Sequence, residues 1–161
     1  MAVLRILTGD DNPILRARAK PVERVTKDVQ KLLRDMRETM DHAKGVGLAA
    51  PQIGVSFRIC IATIDGKPTP LINPKILSKS KESVICEEGC LSLPESWTPV
   101  PRAKGIAISY LDAKGKKKER QLSDFNARVV QHELDHLDGK LIVDYAESVL
   151  RVARKKDTVT I

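Results

Sequence analysis

The 161-residue sequence predicts a single α+β domain, because two helix-like segments enclose a series of strand-like segments. The first helix should follow Thr26, where apolar residues recur at helical spacing until Gly45. Strand-like runs then occupy much of 57–122, and Ser123 is expected to cap a second helix that runs to about Asp138. We therefore predict antiparallel sheet packed around the second helix, which is central, with an N-terminal amphipathic helix beside it.

The first helix is the clearest local prediction. Thr26 is a preferred N-cap residue, and Asp28 places negative charge in the first turn. Gly45 is expected to end the segment, because glycine readily leaves the helical conformation. The apolar positions that would form one face are Val29, Leu32, Leu33, Met36, Met40 and Ala43.

The strand-like runs are short and are separated by turn residues. They cover 57–64, 71–72, 76–77, 83–86, 105–111 and 117–122. Turns are expected at Asp65–Gly66 and at 113–115, the second of which would close a hairpin. Pro94 is expected to end the extended run before it. In the second helix, positions near one stripe are Phe125, Val129, His132, Glu133, His136 and Leu137, and Gly139 is expected to end it.

Composition excludes several classes of protein. Apolar residues make up 42% of the chain, but no run is long enough to cross a membrane. Three cysteines argue against a disulfide framework, and Cys60 is expected to be a buried core thiol. The net charge of +7 is spread along the chain and aromatic residues make up only 3%, so a stacking platform for single-stranded nucleic acid is not supported. The segment 1–11 is too short and too polar for a signal peptide. We expect a cytoplasmic protein, or an organellar one if a transit peptide was removed.

The most informative motif is the segment 131–136, which reads Gln-His-Glu-Leu-Asp-His. On a helix, His132 and His136 lie one above the other on the same face. Each can offer a ring nitrogen to one metal ion, and Glu133 can act as general base on a metal-activated water. Asp135 is expected on the opposite side of the helix, as a salt-bridge partner or as an outer group that supports the site. The motif predicts metal-assisted hydrolysis and makes the second helix a metal-binding helix.

A catalytic metal of this type usually has three protein ligands, so a third must come from elsewhere. Asp, Glu, His or Cys could serve. Cys90 is the best candidate, because Gly89 permits unusual backbone angles in the tight segment around it, although a small buried thiol is the ordinary role of such a residue. Cys86 is expected to be a structural thiol, and His42 a residue at the end of the first helix.

The small-residue loop 45–54 has two interpretations. It is either a turn between helix and strand, or a bare backbone that an extended substrate approaches closely. In the second case the Gln52 amide would donate a hydrogen bond to a developing oxyanion. The loop is not a phosphate-binding loop, because no Gly-Lys-Ser/Thr follows and it does not open a helix.

Three segments together resemble the peptide deformylase family. The family pattern Gly-x-Gly-x-Ala-Ala-x-Gln is matched at 45–52, Glu-Gly-Cys-Leu-Ser at 88–92, and Gln-His-Glu-x-Asp-His at 131–136. The order and spacing of the segments also agree, and the similarity runs from the N-terminal segment to about Tyr145.

The resemblance implies roles for particular residues. Cys90, His132 and His136 would hold one divalent metal, commonly Fe(II) in the family, with zinc, nickel or cobalt able to occupy the site. Glu133 would be the general base and acid. The reaction would remove formate from the N-terminal formyl-methionine of newly made polypeptides. A single catalytic domain would span 1–161.

The resemblance also implies an oxyanion site and a substrate pocket. The Leu91 backbone N–H and the Gln52 side chain would stabilise the oxyanion, and the peptide would pair beside 45–47 and 89–91 like an added strand. The family often has a longer C-terminal helix thought to dock on the ribosome, whereas this chain has a short basic tail at 146–161. Candidates for substrate contacts are Val46, Gly47, Glu88, Leu93, Arg102 and Val129.

Two other functions fit parts of the sequence. A metalloendopeptidase would share the His-Glu-x-x-His motif, but the cysteine ligand and the lack of a further ligand motif downstream argue against it. A basic RNA-binding module with a structural metal would need a fourth ligand, such as Cys86 or His42. We expect a monomer, and the basic tail would offer any contact to ribosomal RNA through Arg151, Arg154, Lys155 and Lys156.

Overall fold

The structure is a computed structural model that describes residues 2–146 and 158–161. Its helices are α1 (Pro13–Arg16), α2 (Lys27–His42) and α3 (Asp124–Leu137), with 3₁₀ turns at Ala50–Ile53 and Ile142–Tyr145. Its strands are β1 (Gly47–Ala49), β2 (Ile59–Ile64), β3 (Lys67–Lys79), β4 (Ser83–Cys90), β5 (Leu93–Ala103), β6 (Gly105–Leu111), β7 (Lys117–Ser123) and β8 (Thr158–Thr160).

The strands form two sheets. The five-stranded sheet has the order β1-β2-β3-β6-β7 and is antiparallel throughout. The three-stranded sheet has the order β5-β4-β8, in which β5 is antiparallel to β4 and β8 is parallel to it. The predicted α+β class with antiparallel sheet is confirmed. Of the predicted basic tail, the four cationic residues named above lie outside the described residues.

Helix α2 occupies the segment predicted for the first amphipathic helix. The Thr26 hydroxyl accepts a hydrogen bond from the Val29 N–H at 3.3 Å, which caps the N-terminus. The helix ends at His42, and Lys44 rather than Gly45 adopts the left-handed conformation, with φ of 57°. Gly45 instead lies against Leu91, whose Cδ1 would be 2.8 Å from a Cβ at this position and would have to shift.

The prediction that Pro94 ends an extended run is wrong, because Pro94 lies inside the eleven-residue strand β5. Among the described strands, β5 pairs with β4 alone and forms an edge of its sheet, where a strand tolerates prolines because the N–H groups on its outer side have no strand partner. The predicted runs 71–72 and 76–77 are parts of one strand, β3. Register shifts between Ile72 and Lys75 and between Ile76 and Ser78, with a φ of 49° at Asn73, interrupt its regular pattern.

The five-stranded sheet has an apolar layer on each face. Alternate residues of β2 point to opposite sides: Ile59 and Ile61 pack with α2, whereas Cys60 and Ile64 pack with α3. Cys60 is fully buried, as predicted. The layer next to α3 includes Leu71, Ile106, Ile108, Tyr110, Ala127, Val129, Val130, Leu134 and Leu137.

Helix α3 is the central helix that the sequence predicts. Ten of its fourteen residues are buried, because the five-stranded sheet covers one side and the three-stranded sheet another. Phe125, placed on the buried stripe by the sequence, is instead 44% exposed. Ser123 stands at the N-cap position but its side chain makes no capping hydrogen bond. Gly139 follows the helix with φ of 74°, as expected of a C-terminal glycine. No helix in the described ranges is long and apolar enough to span a membrane.

Candidate metal centre

Three side chains, from one strand and one helix, converge at one buried point. Cys90 ends β4, and His132 and His136 lie one turn apart on α3; their side-chain ligand atoms are all within 4.8 Å of one another. Sγ of Cys90 is 3.4 Å from Nε2 of His136, which is 3.2 Å from Nε2 of His132. Two nitrogen ligands on one tetrahedral ion lie roughly 3.3 Å apart, given metal–nitrogen bonds of about 2.0–2.1 Å. The thiol and the two imidazoles therefore fit a single metal ion.

The orientation of His132 is fixed by a buried carboxylate. Its Nδ1 lies 2.9 Å from Oε1 of Glu88, which has no exposed surface. Because an ionised carboxylate accepts hydrogen bonds, Nδ1 carries the proton and Nε2 presents its lone pair to the cluster. This is the carboxylate–histidine arrangement that supports metal ligands in many proteins.

Glu88 is held by two arginines as well as by His132. Arg102 donates through Nε to Oε2 at 3.0 Å and through Nη2 to Oε1 at 2.9 Å, and Arg128 donates through Nη1 to Oε2 at 2.5 Å. Burial alone would raise the pKa of Glu88, but hydrogen bonds from His132 and Arg102 and the charge of Arg102 bring that pKa well below its usual range. The carboxylate is therefore ionised at neutral pH.

The second histidine has a different environment. Nδ1 of His136 is buried and has no hydrogen-bond partner among the described residues. Burial is the main reason that the pKa of His136 lies well below its usual value, and the positive charge of Arg102 lowers it further. The ring is therefore neutral, which is the form that binds a metal.

Cys90 is buried beside these rings. Burial is the main reason that the pKa of its thiol rises to about 12, although hydrogen bonds from the backbone N–H groups of Ser92 and Leu93 act in the opposite direction. Those two donors point at the sulfur and favour a thiolate. A cation held by the three ligands would favour it much more.

Glu133 is a buried carboxylate without a partner. Neither of its oxygens has a hydrogen-bond partner in the described part of the chain. Burial, and then the negative charge of Glu88, raise the pKa of Glu133 well above its usual value. The carboxylate lies directly on Gly47, where an added Cβ would be 2.3 Å from Oε2. An unsatisfied buried acceptor beside the ligand cluster indicates a place for a proton-bearing partner.

The two predicted oxyanion donors flank the cluster. Oε1 of Gln52 accepts the Ala49 N–H at 2.9 Å, and Nε2 donates to the Ser92 hydroxyl at 3.1 Å. An amide nitrogen has two N–H groups, so one remains for another acceptor. Leu91 directly follows Cys90, and its partly buried side chain packs next to Gly45. That the Gln52 amide and the Leu91 backbone N–H stabilise an oxyanion stays a prediction.

The predicted substrate residues lie in different surroundings. Val129 is fully buried in the core, and Val46 is partly buried against the same apolar layer. Leu93 is 7% exposed in a small cluster with Cys90. Arg102 is 4% exposed and donates to Glu88 and Asp135, which does not favour a direct contact with a peptide. All of these substrate contacts remain predictions.

The alternative ligands are not part of the cluster. Within 2–146 and 158–161, the Cys90–His132–His136 set is the group that can hold a metal, and neither Cys86 nor His42 belongs to it. The expected salt bridge of Asp135 is present, to Nη1 of Arg102 at 2.6 Å. Its predicted place on the opposite side of the helix is wrong, because Asp135 lies three residues after His132 and Arg102 also binds Glu88.

Sequence reasoning missed two supporting residues of α3. Arg128 contacts Glu88, and the Gln131 amide exchanges two hydrogen bonds with the backbone of Ala103, at 3.0 and 2.9 Å. The available signal was a polar residue one turn before His132, on the face of a helix that must be buried. Arg128, at that spacing, is a candidate to bind a buried acid.

Comparison with known proteins gives a consistent result. A family model described as Polypeptide deformylase matches residues 3–152. A peptide deformylase of Pseudothermotoga lettingae is 48% identical over 155 residues, which cover 96% of this chain and 89% of the relative.

Solved structures agree with the sequence comparison. The crystal structure of peptide deformylase from Thermotoga maritima matches with a TM-score of 0.86 and 44% identity, covering 89% of this chain and 97% of that one. Peptide deformylase from Ehrlichia chaffeensis, solved in complex with actinonin, matches with a TM-score of 0.86 and 36% identity, covering 96% of this chain and all of that one (100%).

Proposed function

This chain belongs to the polypeptide deformylase family, and from that premise we propose that it removes the formyl group from the N-terminal formyl-methionine of newly made polypeptides, with a metal held by Cys90, His132 and His136. The observation that carries this proposal is the convergence of those three ligand atoms within 4.8 Å, beside the unpartnered carboxylate of Glu133. A single catalytic domain, 1–161, would contain all the residues required.

The chemistry divides between the ion and Glu133. A divalent ion would supply a Lewis acid that polarises the formyl carbonyl and favours loss of a proton from water. Glu133 takes that proton as the water oxygen bonds to the formyl carbon. When the carbon–nitrogen bond breaks, Glu133 returns the proton to the leaving amine. The second water proton leaves on formic acid, which ionises to formate by releasing it. The products are therefore formate, that proton and a peptide with a free N-terminal methionine, so atoms and protons balance.

The oxyanion is the second charge that the site must stabilise. The Gln52 amide has one N–H beyond the one that it gives to Ser92, and it is 1% exposed. We assign that N–H and the backbone N–H of Leu91 to the carbonyl oxygen of the substrate. A donor that is already fixed by Ala49 and Ser92 needs little reorganisation when the negative charge develops.

The substrate peptide would lie along an edge of the five-stranded sheet. Strand β1 pairs with β2 on one side, and no strand of the described residues lies along its other edge, which we assign to an extended substrate chain. Gly47 lies in β1 directly over the Glu133 carboxylate, which brings such a chain to the reacting groups. A formyl group carries only hydrogen on its carbonyl carbon, so a narrow site would admit it and exclude larger acyl groups. Val46, Glu88, Leu93 and Val129 remain our candidates for the methionine pocket.

The ligand set suits several divalent metals. Thiolate and imidazole are common ligands of iron, zinc, nickel and cobalt, and geometry alone does not select one. We propose Fe(II) as the native ion, and a cytoplasmic monomer as the working form. Three protein ligands, rather than four, are typical of a catalytic site and do not favour an RNA-binding module built on a structural metal.

The decisive experiment combines metal analysis with an assay of formate release. Protein purified without oxygen, and loaded with Fe(II) or Ni(II), should contain one ion per chain and release formate from formyl-Met-Ala-Ser. Acetyl-Met-Ala-Ser is the matched control and should not react. A chain that binds one ion but releases no formate would contradict the proposed function, and so would cleavage of internal peptide bonds in unblocked casein at a comparable rate.

A further inference from the structure

Arg128 connects the metal-binding helix to both strands of the β4–β5 hairpin. It lies four residues before His132 on α3 and is 7% exposed. Besides the bond to Glu88, Nη1 donates to the carbonyl of Val100 at 3.0 Å, and Nη2 donates to the carbonyl of Val84 at 2.7 Å. One guanidinium thus joins three chain segments at a buried position.

The two arginines at Glu88 are not equivalent. Arg102 also donates to Asp135 at 2.6 Å, so its charge is divided between two carboxylates. In the ion pairs of the described residues, Arg128 has Glu88 as its single carboxylate partner. It also donates to the backbone carbonyls of Val100 and Val84, which lie in the two strands of the hairpin. Arg128 therefore links the Glu88 carboxylate to backbone of both strands, whereas Arg102 links it to the side chains of Asp135 and Tyr145.

The two oxygens of Glu88 receive different donors. Oε1 receives His132 and Nη2 of Arg102, whereas Oε2 receives Nε of Arg102 and Nη1 of Arg128. If Arg128 were absent, Glu88 and Arg102 could move together as a bidentate pair. Oε1 would then shift relative to Nδ1 of His132. The contact from Arg128 to Oε2 would oppose that movement.

We propose that Arg128 is a positioning residue for the metal, acting through Glu88 on the ring of His132. The proposal rests on the metal site assigned under the proposed function. Outer groups that orient a ligating histidine commonly change metal affinity by about 10- to 100-fold when they are removed. Among the described residues no hydrogen bond joins Arg128 to Cys90, His132 or His136, so we assign its effect to the Glu88 carboxylate.

The first test measures Co(II) affinity rather than activity. Arg128→Met should bind Co(II) at least about tenfold more weakly than the wild type in competition with a chelator, and should show altered visible absorption of the bound cobalt. Arg128→Lys keeps a positive charge but cannot reach Glu88 and both carbonyls at once, so it should show a smaller loss. Arg128→Lys also provides the test if Arg128→Met does not fold. Failure of the wild type to bind cobalt would overturn both proposals, whereas unchanged affinity in a folded Arg128 variant overturns only this one.

Arg58→Met is the matched control for a purely structural arginine. Arg58 donates to the carbonyl of Leu137 at 2.9 Å and pairs with Asp138 at 3.0 Å, so it too anchors α3, but it does not contact Glu88. Its loss should lower the melting temperature and leave both cobalt affinity and absorption unchanged. Equal losses of affinity in the Arg58 and Arg128 variants would overturn a specific role for Arg128.

A double-mutant cycle tests the route through Glu88. In a Glu88→Gln background, Arg128→Met should cause little further loss of cobalt affinity, because the connection to His132 is already weakened. If the two losses instead multiply, Arg128 acts independently of Glu88 and the proposal is wrong. Circular dichroism of each metal-free variant establishes that the compared proteins are folded.

Discussion

The two sides of α3 are built from different interactions. Toward the five-stranded sheet, the helix presents Val130, Leu134 and Leu137 to an apolar layer. Toward the β4–β5 hairpin, it presents Arg128 and His132 to Glu88, a buried acid. The metal ligands lie where the two sides meet.

This difference separates stability from positioning. Apolar packing is non-directional and gains free energy roughly in proportion to the area buried. Buried ion pairs gain little net free energy, because desolvation offsets their attraction, but they hold groups in one geometry. We therefore expect the apolar side to determine how stable the chain is, and the ionic side to determine where the ligands point. The following changes test that division.

The largest effect is expected at Glu133, beside the metal ligands, where the two sides of α3 meet. Glu133→Gln should lower kcat/KM for formate release by about 10²- to 10⁴-fold, because the neutral amide cannot take a proton from water. Metal content and thermal stability should not fall, since a buried carboxylate without partners is replaced by a neutral group of the same shape. Turnover at the wild-type rate would remove Glu133 from the mechanism.

A change on the apolar side should lower stability and leave activity unchanged. Ile108→Ala removes a fully buried side chain from β6 and should lower the free energy of unfolding by about 2–5 kcal/mol. Activity per folded molecule and metal content should be unchanged. Urea denaturation and the formate assay measure the two quantities. Leu77→Ala, at a position 48% exposed in the same sheet, is the control and should change stability by no more than about 0.5 kcal/mol. A large loss of activity in folded Ile108→Ala protein would contradict the division.

Gly47 is the point where the five-stranded sheet reaches the reacting groups. Gly47→Ala should lower both stability and activity, because its Cβ would lie 2.3 Å from Oε2 of Glu133. Overpacking of this kind costs about 1–3 kcal/mol of stability, and the displaced carboxylate should also lower kcat/KM. Gly105→Ala is the matched control, since its nearest neighbour would be the carbonyl of Leu122 at 3.6 Å. Wild-type activity in Gly47→Ala would show that the carboxylate has room to move.

An ion pair away from the metal ligands should have the smallest effect on stability and none on activity. Asp144 pairs with Arg16 at 2.7 Å, with both side chains about one-third exposed (31% and 32%). Burial acts to raise the pKa of Asp144, but hydrogen bonds from Arg16 and the Leu141 N–H outweigh it and lower that pKa. The pair therefore contributes stability above the unfolded pKa and loses it as the pH falls through the folded pKa.

Asp144→Asn should lower the free energy of unfolding by at most about 1 kcal/mol at neutral pH. The difference from the wild type should shrink below about pH 4, near the ordinary pKa of aspartate. Activity and metal content should stay the same. A difference that grows toward acid pH would have the wrong sign for this pair.

Local pattern was sufficient to predict the regular elements. Strand β6 has the predicted bounds, 105–111, because its alternation and flanking glycine are clear. The spacing of His132 and His136 placed them on one helical face, and the Cys90 ligand followed from its motif and the family resemblance. Strand β5 was missed because Pro94, Pro99 and Pro101 argue against a strand, and only its edge position makes them acceptable.

The support of the site was not predictable in the same way. That the stem of Glu88 lines a substrate pocket stays a prediction, whereas the position of its carboxylate between His132, Arg102 and Arg128 was not foreseen. Those contacts join positions 14 to 44 residues apart. Such pairings depend on how the hairpin packs on α3, which no local pattern specifies. The sequence did indicate the salt bridge of Asp135, but not its partner.

The prolines of β5 also bear on how copies of this chain meet. An outer strand offers unpaired N–H and carbonyl groups, on which another chain can add a strand and begin to aggregate. Pro94, Pro99 and Pro101 lack the N–H group and leave gaps along that row. At the far end of the other sheet, β7 carries exposed Lys117 and Lys118, whose like charges repel a second copy. These two outer strands therefore resist uncontrolled polymerisation.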